Sequence, residues 1–158
     1  MHAHRCLTIV GLVSLVTSCT SERSASGTDG PPPDLLRSAA RFYDAYGKDL
    51  REHRRERLAQ YYAPEGALFV IAGRRMQVSR PGIDSLYKGW EGPAYFAWDS
   101  LRFDSLSPSL VLVTGGFDWQ VRGSRDTARF IYASILQAID SGLAIRFEHE
   151  TPKPNSKR

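Results

Sequence analysis

Cysteine is scarce in this sequence and is confined to one end of it. The 158 residues include two cysteines, Cys6 and Cys19, and no cysteine follows position 19. A disulfide therefore cannot stabilise the rest of the chain, which must rely on a hydrophobic core. Hydrophobic residues make up 42% of the chain, which is enough for one domain of this length to bury such a core.

Charge of either sign is also modest. The formal net charge is +4, and the part after Cys19 has 20 basic and 17 acidic residues, a net charge of +3. That balance is too small to indicate a nucleic-acid-binding protein. The most basic stretch, residues 51–57, is interleaved with Glu52 and Glu56. We interpret it as a solvated helix face with i,i+4 ion pairs rather than a phosphate-binding stripe.

Several catalytic signatures are missing. The sequence contains no G-x-S-x-G motif and no phosphate-binding glycine loop. The two histidines that follow Cys19, His53 and His149, lie far apart and do not have metal-ligand spacing. The sequence therefore predicts neither a metal nor a cofactor.

The N-terminus has the pattern of a targeting signal. Residues 6–18 form an apolar run that is shorter than the roughly 20 residues a membrane-spanning helix needs, so residues 1–18 are predicted to be a signal peptide. The run ends in Val16-Thr17-Ser18-Cys19, which resembles the bacterial lipobox. That resemblance implies cleavage before Cys19 and acylation of Cys19. The alternatives are an ordinary cleaved signal or an uncleaved anchor.

A lipidated Cys19 would place the protein in a bacterial cell envelope. Two or more acyl chains give durable membrane attachment, whereas one chain gives only marginal binding. Thr20 follows the cysteine; in Gram-negative lipoproteins an aspartate there often signals inner-membrane retention, so threonine favours the outer membrane. Residues 19–33, rich in small residues, proline and glycine, are predicted to be a flexible tether.

Residues 34–152 are predicted to form one α+β domain, followed by a frayed tail at 153–158. Apolar periodicity indicates helices at about 35–47, 54–62 and 81–90. It also indicates a short hairpin with strands at 67–72 and 76–78, followed by long strands at 95–107, 109–122, 127–139 and 143–151. A phase shift near Ser100 and the pair Gly115-Gly116 indicate bulges. Helices followed by a run of antiparallel strands are typical of the α+β class.

Three stretches resemble the SnoaL-like or nuclear transport factor 2 (NTF2)-like superfamily: residues 58–67, 81–90 and 142–151. The resemblance implies a cone-shaped fold in which a curved antiparallel sheet wraps around the N-terminal helix, with two further short helices. It also implies a homodimer that pairs through the outer face of the sheet. The closing strand departs from the family pattern, since Leu143 replaces an aromatic residue and Phe147 stands where a first histidine often occurs.

His149 is the main catalytic candidate. Strict alternation places it on one face with Ile145 and Phe147, and the resemblance implies that this face looks into the cone. A histidine in an apolar pocket can act as an acid or base near neutral pH, with Tyr46 on the first helix as a partner. The alternative is a histidine hydrogen-bonded in the core or at the rim.

Aromatic residues are the candidate ligand-binding groups. They can stack a flat or apolar molecule, although ordinary core packing is the alternative for each. The predicted set is Tyr43, Tyr62, Trp90, Trp98, Trp119 and Tyr132. Asp118 is predicted to point away from Phe117 and Trp119 unless a bulge reverses the alternation. No acidic residue occurs in 68–76, which argues against the residue set of the ketosteroid isomerases.

Three functions remain open from the sequence. The first is an envelope lipoprotein whose domain binds a small apolar or aromatic molecule, or serves as a scaffold, without catalysis. The second is an enzyme of the cyclase, isomerase or dehydratase type that uses His149 and a pocket tyrosine. The third is a protein-interaction module that uses the face of the sheet.

Overall fold

The first helix supplies one side of the core. In the computed structural model, which describes residues 33–153, α1 spans Pro33–Arg51. It therefore runs further than the predicted 35–47. Its buried residues recur every three or four positions, so that one stripe of the helix faces the sheet. They are Ala39, Tyr43, Tyr46 and Leu50.

Two shorter helical segments follow at the rim. The predicted helix at 54–62 is in fact a four-residue helix α2, Arg55–Leu58, continued by a 3-10 turn, Ala59–Tyr61. Helix α3 spans Arg80–Lys88 and begins where the Ser79 hydroxyl accepts a hydrogen bond from the Gly82 N–H.

The basic stretch 51–57 contributes to this arrangement through a buried acid. Asp49 is 2% exposed and accepts a hydrogen bond from the Tyr61 hydroxyl at 2.8 Å. Arg54 and Arg57 form ion pairs with the same carboxylate at 3.6 and 3.2 Å. The predicted i,i+4 pairing is observed for Lys48 and Glu52, but the two arginines bind α1 to the following turn instead.

Six strands form one sheet. They are β1 Ala67–Ile71, β2 Arg74–Val78, β3 Tyr95–Ser107, β4 Leu110–Gln120, β5 Thr127–Ile139 and β6 Gly142–Pro152. Their order is β2-β1-β6-β5-β4-β3. All neighbours are antiparallel except β1 and β6, which pair in parallel. The predicted curved α+β architecture is confirmed, with this one parallel pair added.

Three register shifts interrupt the sheet, and one of them, between Ser105 and Ser107, lies at the end of β3. The other two lie within the long strands. The first interrupts β3 between Asp99 and Arg102, where Ser100 has a φ of 54° opposite Gly115, and it confirms the predicted bulge. The second was not predicted. Ile135 of β5 pairs with Phe147 while Leu136 pairs with Ile145, so that Arg146 is an extra residue on β6. Arg146 forms an ion pair with Glu65 in the turn before β1.

The inner face of the sheet packs on α1 and encloses the core. Phe96, Val111, Val113, Leu136 and Ile145 are all buried on this face. The predicted signal peptide, Cys19 and residues 154–158 lie outside the described residues. Within residues 33–153, no helix has the length and apolarity needed to cross a membrane.

Candidate functional site

The open end of the sheet and helix α3 enclose an apolar cavity of about 490 Å³. This volume lies within the range of small-molecule sites. Nine of the 17 side chains that line it are aromatic, so that most of its wall presents ring faces and edges. These nine are Tyr46, Phe69, Tyr87, Trp90, Phe96, Trp98, Phe117, Trp119 and Phe130. We refer to it as the aromatic cavity.

The tryptophans form one end of the aromatic cavity. Trp90 stacks on Trp119, with ring centroids 5.2 Å apart and planes inclined by 20°. Trp98 donates its indole N–H to the Tyr43 carbonyl of α1 at 3.1 Å. Gly47 makes this approach feasible, because a Cβ at that position would lie 2.6 Å from the indole nitrogen.

Two glutamates supply the charged groups of the aromatic cavity. Glu148 and Glu150 both lie on β6, and two-residue spacing puts them on the same face of the strand. Among the described residues that line the cavity there is no lysine, arginine or histidine. The only charge that these side chains can bring to the site is therefore negative.

Glu148 is 2% exposed and is bound by two tyrosines. The Tyr132 hydroxyl donates to its Oε1 at 2.6 Å, and the Tyr62 hydroxyl donates to its Oε2 at 2.7 Å. Burial raises the pKa of Glu148, while the two tyrosine hydrogen bonds oppose that rise.

The hydrogen bonds extend outward from Glu148 through a cluster that we call the tyrosine network, formed by Tyr43, Tyr46, Tyr62, Tyr87 and Tyr132. On one branch, the hydroxyls of Tyr46, Tyr62 and Tyr87 lie 2.8 to 3.0 Å from one another. On the other branch, the Tyr43 hydroxyl lies 2.9 Å from that of Tyr132 and also bonds to the Ser134 hydroxyl. Burial first, and the charge of Glu148 second, raise the pKa of every member, so the tyrosines remain neutral in the physiological range.

Glu150 has a different environment. It pairs with Ile71 of β1 and Tyr132 of β5 and lines the aromatic cavity. Burial and the nearby charge of Glu148 raise the pKa of Glu150 to about 8. No side chain among residues 33–153 donates a hydrogen bond to its carboxyl group, whereas Glu148 has two such donors.

The structure separates the predicted ligand-binding residues into two groups. Trp90, Trp98 and Trp119 line the aromatic cavity, as does the predicted catalytic partner Tyr46. Tyr43, Tyr62 and Tyr132 do not line it but belong to the tyrosine network beneath it, each no more than 1% exposed.

The predicted inward orientation of His149 is wrong. Glu148 and Glu150 on either side of it face the aromatic cavity, so alternation turns His149 to the outer face, where its Nε2 lies 3.2 Å from the Thr151 hydroxyl. The physical reason is the bulge at Arg146, which changes the face of every later residue in β6 relative to Ile145. Asp118 points away from the cavity, as predicted, and pairs with Arg129 at 3.1 Å.

Sequence reasoning missed Glu148 and Glu150, whereas Tyr87 was among the tyrosines considered for a pocket. Two acids at i and i+2 in a strand share a face, and this pairing was visible in the sequence. The bulge at Arg146 decides that the two glutamates face the cavity, and nothing in the sequence of β6 indicates that bulge. Among residues 33–153, no group of histidine, cysteine or acidic side chains is arranged to hold a metal ion.

Comparison with known proteins adds the fold and no more. No protein-family model matches this chain, and neither does any curated protein sequence. Solved structures do match. An NTF-2 like protein of unknown function from Shewanella oneidensis has a TM-score of 0.61 at 14% identity, covering 72% of this chain and 96% of that chain.

Two structures from Novosphingobium aromaticivorans are similar to the same extent. An NTF2-like protein with a cystatin-like fold has a TM-score of 0.62 at 13% identity, over 78% of this chain and 84% of its own. A candidate scytalone dehydratase has a TM-score of 0.60 at 13% identity, over 75% of this chain and 84% of its own. The predicted resemblance is confirmed at the level of the fold, which is NTF2-like.

Proposed function

We propose that this protein binds a small, largely apolar molecule with an aromatic group in the aromatic cavity. The observation that carries the proposal is the composition of the wall, in which nine of 17 side chains are aromatic around about 490 Å³ of space. A ligand that fills an apolar space of this size makes contacts with the aromatic rings and removes their apolar surface from water, and both effects favour binding.

A thermal-shift titration tests this function. The full chain is heated with a panel of one- to three-ring aromatic compounds, and a ligand should raise the melting temperature in proportion to the logarithm of its concentration. Trp90→Ala should weaken the response, because Trp90 lines the aromatic cavity. Tyr95→Ala, an exposed aromatic outside the cavity, is the matched control and should leave the response unchanged. No shift with any compound would contradict the proposal.

An enzyme is the second candidate, and Glu150 is the observation that favours it. A carboxyl group with a pKa of about 8 beside an apolar cavity can act as a general acid or base near neutral pH. Such a group fits the cyclase, isomerase or dehydratase class, and one fold neighbour is a candidate scytalone dehydratase. In such an enzyme the acid–base role belongs to Glu150 instead of His149, with Tyr46 or Tyr87 as the neighbouring hydroxyl.

The enzyme candidate predicts turnover of a bound compound. Glu150→Gln should keep binding and abolish turnover, whereas His149→Ala should affect neither. Turnover that survives in Glu150→Gln and disappears in His149→Ala would return the catalytic role to His149.

We propose further that the protein is a lipoprotein of a bacterial cell envelope, anchored through acylated Cys19. The support is the order of residues 6–19, in which an apolar run ends in small residues and a cysteine. Cys19→Ala should release the protein from the membrane fraction, and Cys6→Ala should not. Retention of Cys19→Ala in membranes would contradict lipid anchoring.

We also propose a homodimer that pairs through the outer face of the sheet. Its support is Ile131, a large apolar side chain of β5 that is 50% exposed on that face. Sedimentation should show a dimer that Ile131→Glu dissociates, while Val121→Glu, 61% exposed beyond the end of β4, should not. A monomeric wild-type protein would contradict the homodimer. The third function considered from the sequence, interaction of this face with a different protein, would then be favoured.

A further inference from the structure

We infer that the ligand of the aromatic cavity carries a positively charged amine, which binds between the carboxyl groups of Glu148 and Glu150 and the surrounding aromatic rings. This inference rests on the proposed binding function and specifies the chemical class of its ligand. Three independent features of the site lead to it: hydrogen-bond direction, charge balance and the nature of the wall.

The first feature is the direction of the hydrogen bonds. Each tyrosine hydroxyl has a single proton to donate. Tyr62 uses its proton on Glu148, so its oxygen can only accept from the hydroxyls of Tyr46 and Tyr87, which lie within 3.0 Å of it and of each other. Three contacts thus compete for the two protons of Tyr46 and Tyr87, and oxygen lone pairs remain to accept a hydrogen bond from a ligand.

The second feature is an uncompensated acid pair. A buried carboxylate is costly unless a cation or several donors neutralise it. Glu148 has its two tyrosine donors, but the described residues that line the cavity include no cation, and Glu150 receives no side-chain hydrogen bond from residues 33–153. The basic side chains nearest in register, such as Arg74 opposite Ile71, are exposed on the edge strand β2 and do not line the cavity.

The third feature is the wall itself. The face of an aromatic ring attracts a cation, and indole does so best. Trp90, Trp98 and Trp119 lie in the same cavity as the two carboxyl groups, together with the rings of Tyr46 and Tyr87. An ammonium group would donate hydrogen bonds to the two glutamates while its substituents contact the rings, whereas a carboxylate ligand would meet the negative charge of the same glutamates.

Binding of such a cation releases a proton below about pH 8. The ammonium ion enters, the Glu150 carboxylic acid gives its proton to the buffer, and an ion pair remains. Glu148 lies two residues away on the same face of β6, and Ile71 on β1 and Tyr132 on β5 are the register partners of Glu150. The pKa of Tyr87 on α3 is raised by burial, by the charge of Glu148 and also by that of Glu150, and Tyr46 on α1 lines the same cavity. The tyrosines stay neutral in this range, so the pH dependence belongs to the glutamate pair.

The test compares two probes that differ only in the polar group. 1-Naphthylmethylamine is a cation at neutral pH, and 1-naphthylmethanol has the same ring and a neutral hydroxyl group. Isothermal titration calorimetry on the full chain should show that the amine binds at least about tenfold more tightly. The observed enthalpy for the amine should also depend on the ionisation enthalpy of the buffer at pH 7, which reports the released proton, and the enthalpy for the alcohol should not.

A variant of Glu150 and a matched control show whether this residue is the source of the preference for the amine. Glu150→Gln should reduce the preference for the amine while binding of the alcohol is kept, and Glu91→Gln, an exposed glutamate outside the cavity, should behave as wild type. If Glu150→Gln does not fold, the two probes on the wild-type protein still decide the question. Equal binding of the two probes, or tighter binding of the alcohol, would overturn the inference and leave the binding function intact. Failure of both probes and of the whole aromatic panel would overturn both.

Discussion

Glu148 is the residue on which the inner hydrogen bonds of this protein converge. Its two oxygens each accept one tyrosine proton, from Tyr62 and Tyr132. Those two tyrosines are hydrogen-bonded to three others, of which Tyr43 also bonds to Ser134. A buried carboxyl group with fewer donors would destabilise the folded protein, because hydrogen bonds would no longer offset the loss of its hydration. The tyrosine network therefore has a structural role in addition to any contact with a ligand.

Removal of one hydrogen-bond donor to Glu148 should lower the stability of the protein measurably. Tyr132→Phe keeps the ring and deletes the hydroxyl that bonds to Glu148 Oε1. We expect the free energy of unfolding to fall by about 1–3 kcal/mol, because a buried acceptor loses a partner. Urea denaturation at pH 8 is the measurement, and Tyr95→Phe, at an exposed position on β3, is the control. Equal losses in the two variants would show that the hydroxyl at Tyr132 contributes nothing to stability.

Glu150 should make stability depend on pH. Its pKa in the folded protein, about 8, lies above the ordinary value, so between about pH 4.5 and 8 the folded state binds more protons than the unfolded state. Stability should therefore decrease as the pH rises through this window, by at most about 1.4 kcal/mol per unit, and become flat above it. Glu148, whose pKa is also raised by burial, contributes to the same decrease. Unfolding at several pH values should therefore show a smaller decrease for Glu150→Gln than for the wild type, while Glu91→Gln retains all of it. A parallel decrease in Glu150→Gln would assign the effect to another group.

At the scale of elements, the contact between α1 and β3 depends on a glycine. In most helix interiors Gly→Ala is stabilising by about 1 kcal/mol. At Gly47 the added Cβ would lie 2.6 Å from the indole nitrogen of Trp98, whose N–H bonds to α1. We expect Gly47→Ala to lower the free energy of unfolding by about 1–3 kcal/mol, as overpacking does.

The control for Gly47 is a helical position with no such neighbour. Asp44→Ala lies on the exposed face of α1 and should change stability by less than about 0.5 kcal/mol. Thermal denaturation of the two variants separates the effect of the contact with Trp98 from that of helix propensity. A more stable Gly47→Ala protein would mean that Trp98 moves aside without cost.

The elements also show how far sequence reasoning extends. Periodicity predicted the three helical regions and five of the strands, because each has a buried face. The sixth, β2, is mostly exposed, and it was predicted as residues 76–78 from the turn before it, whereas the strand begins at Arg74. Periodicity could not predict the face on which Glu148 lies. A regular strand puts His149 on the side of Ile145, and one extra residue at Arg146 reverses this. The bulge arises from pairing with β5, so the information lies in another strand and not in the β6 sequence.

For the whole molecule, the order of the strands makes the last strand indispensable. β6 lies between β1 and β5, and it is the strand that joins the β1–β2 hairpin to the rest of the sheet. A chain that ends at Asp140 would lack β6 and both cavity glutamates. We expect it to show no cooperative unfolding transition, whereas a chain that ends at Lys153 should unfold as the full chain does. Differential scanning calorimetry of the two chains is the measurement. A cooperative transition in the shorter chain would contradict the prediction.

The position of the tryptophans has a practical consequence. The chain has three of them, and all three line the aromatic cavity. The intrinsic fluorescence of the protein therefore comes almost entirely from the walls of the aromatic cavity, with tyrosine emission as a minor background. Any molecule that enters should alter the intensity or the wavelength of that emission. Occupancy can therefore be followed in the unmodified protein without a dye or a label, even while the ligand is unidentified.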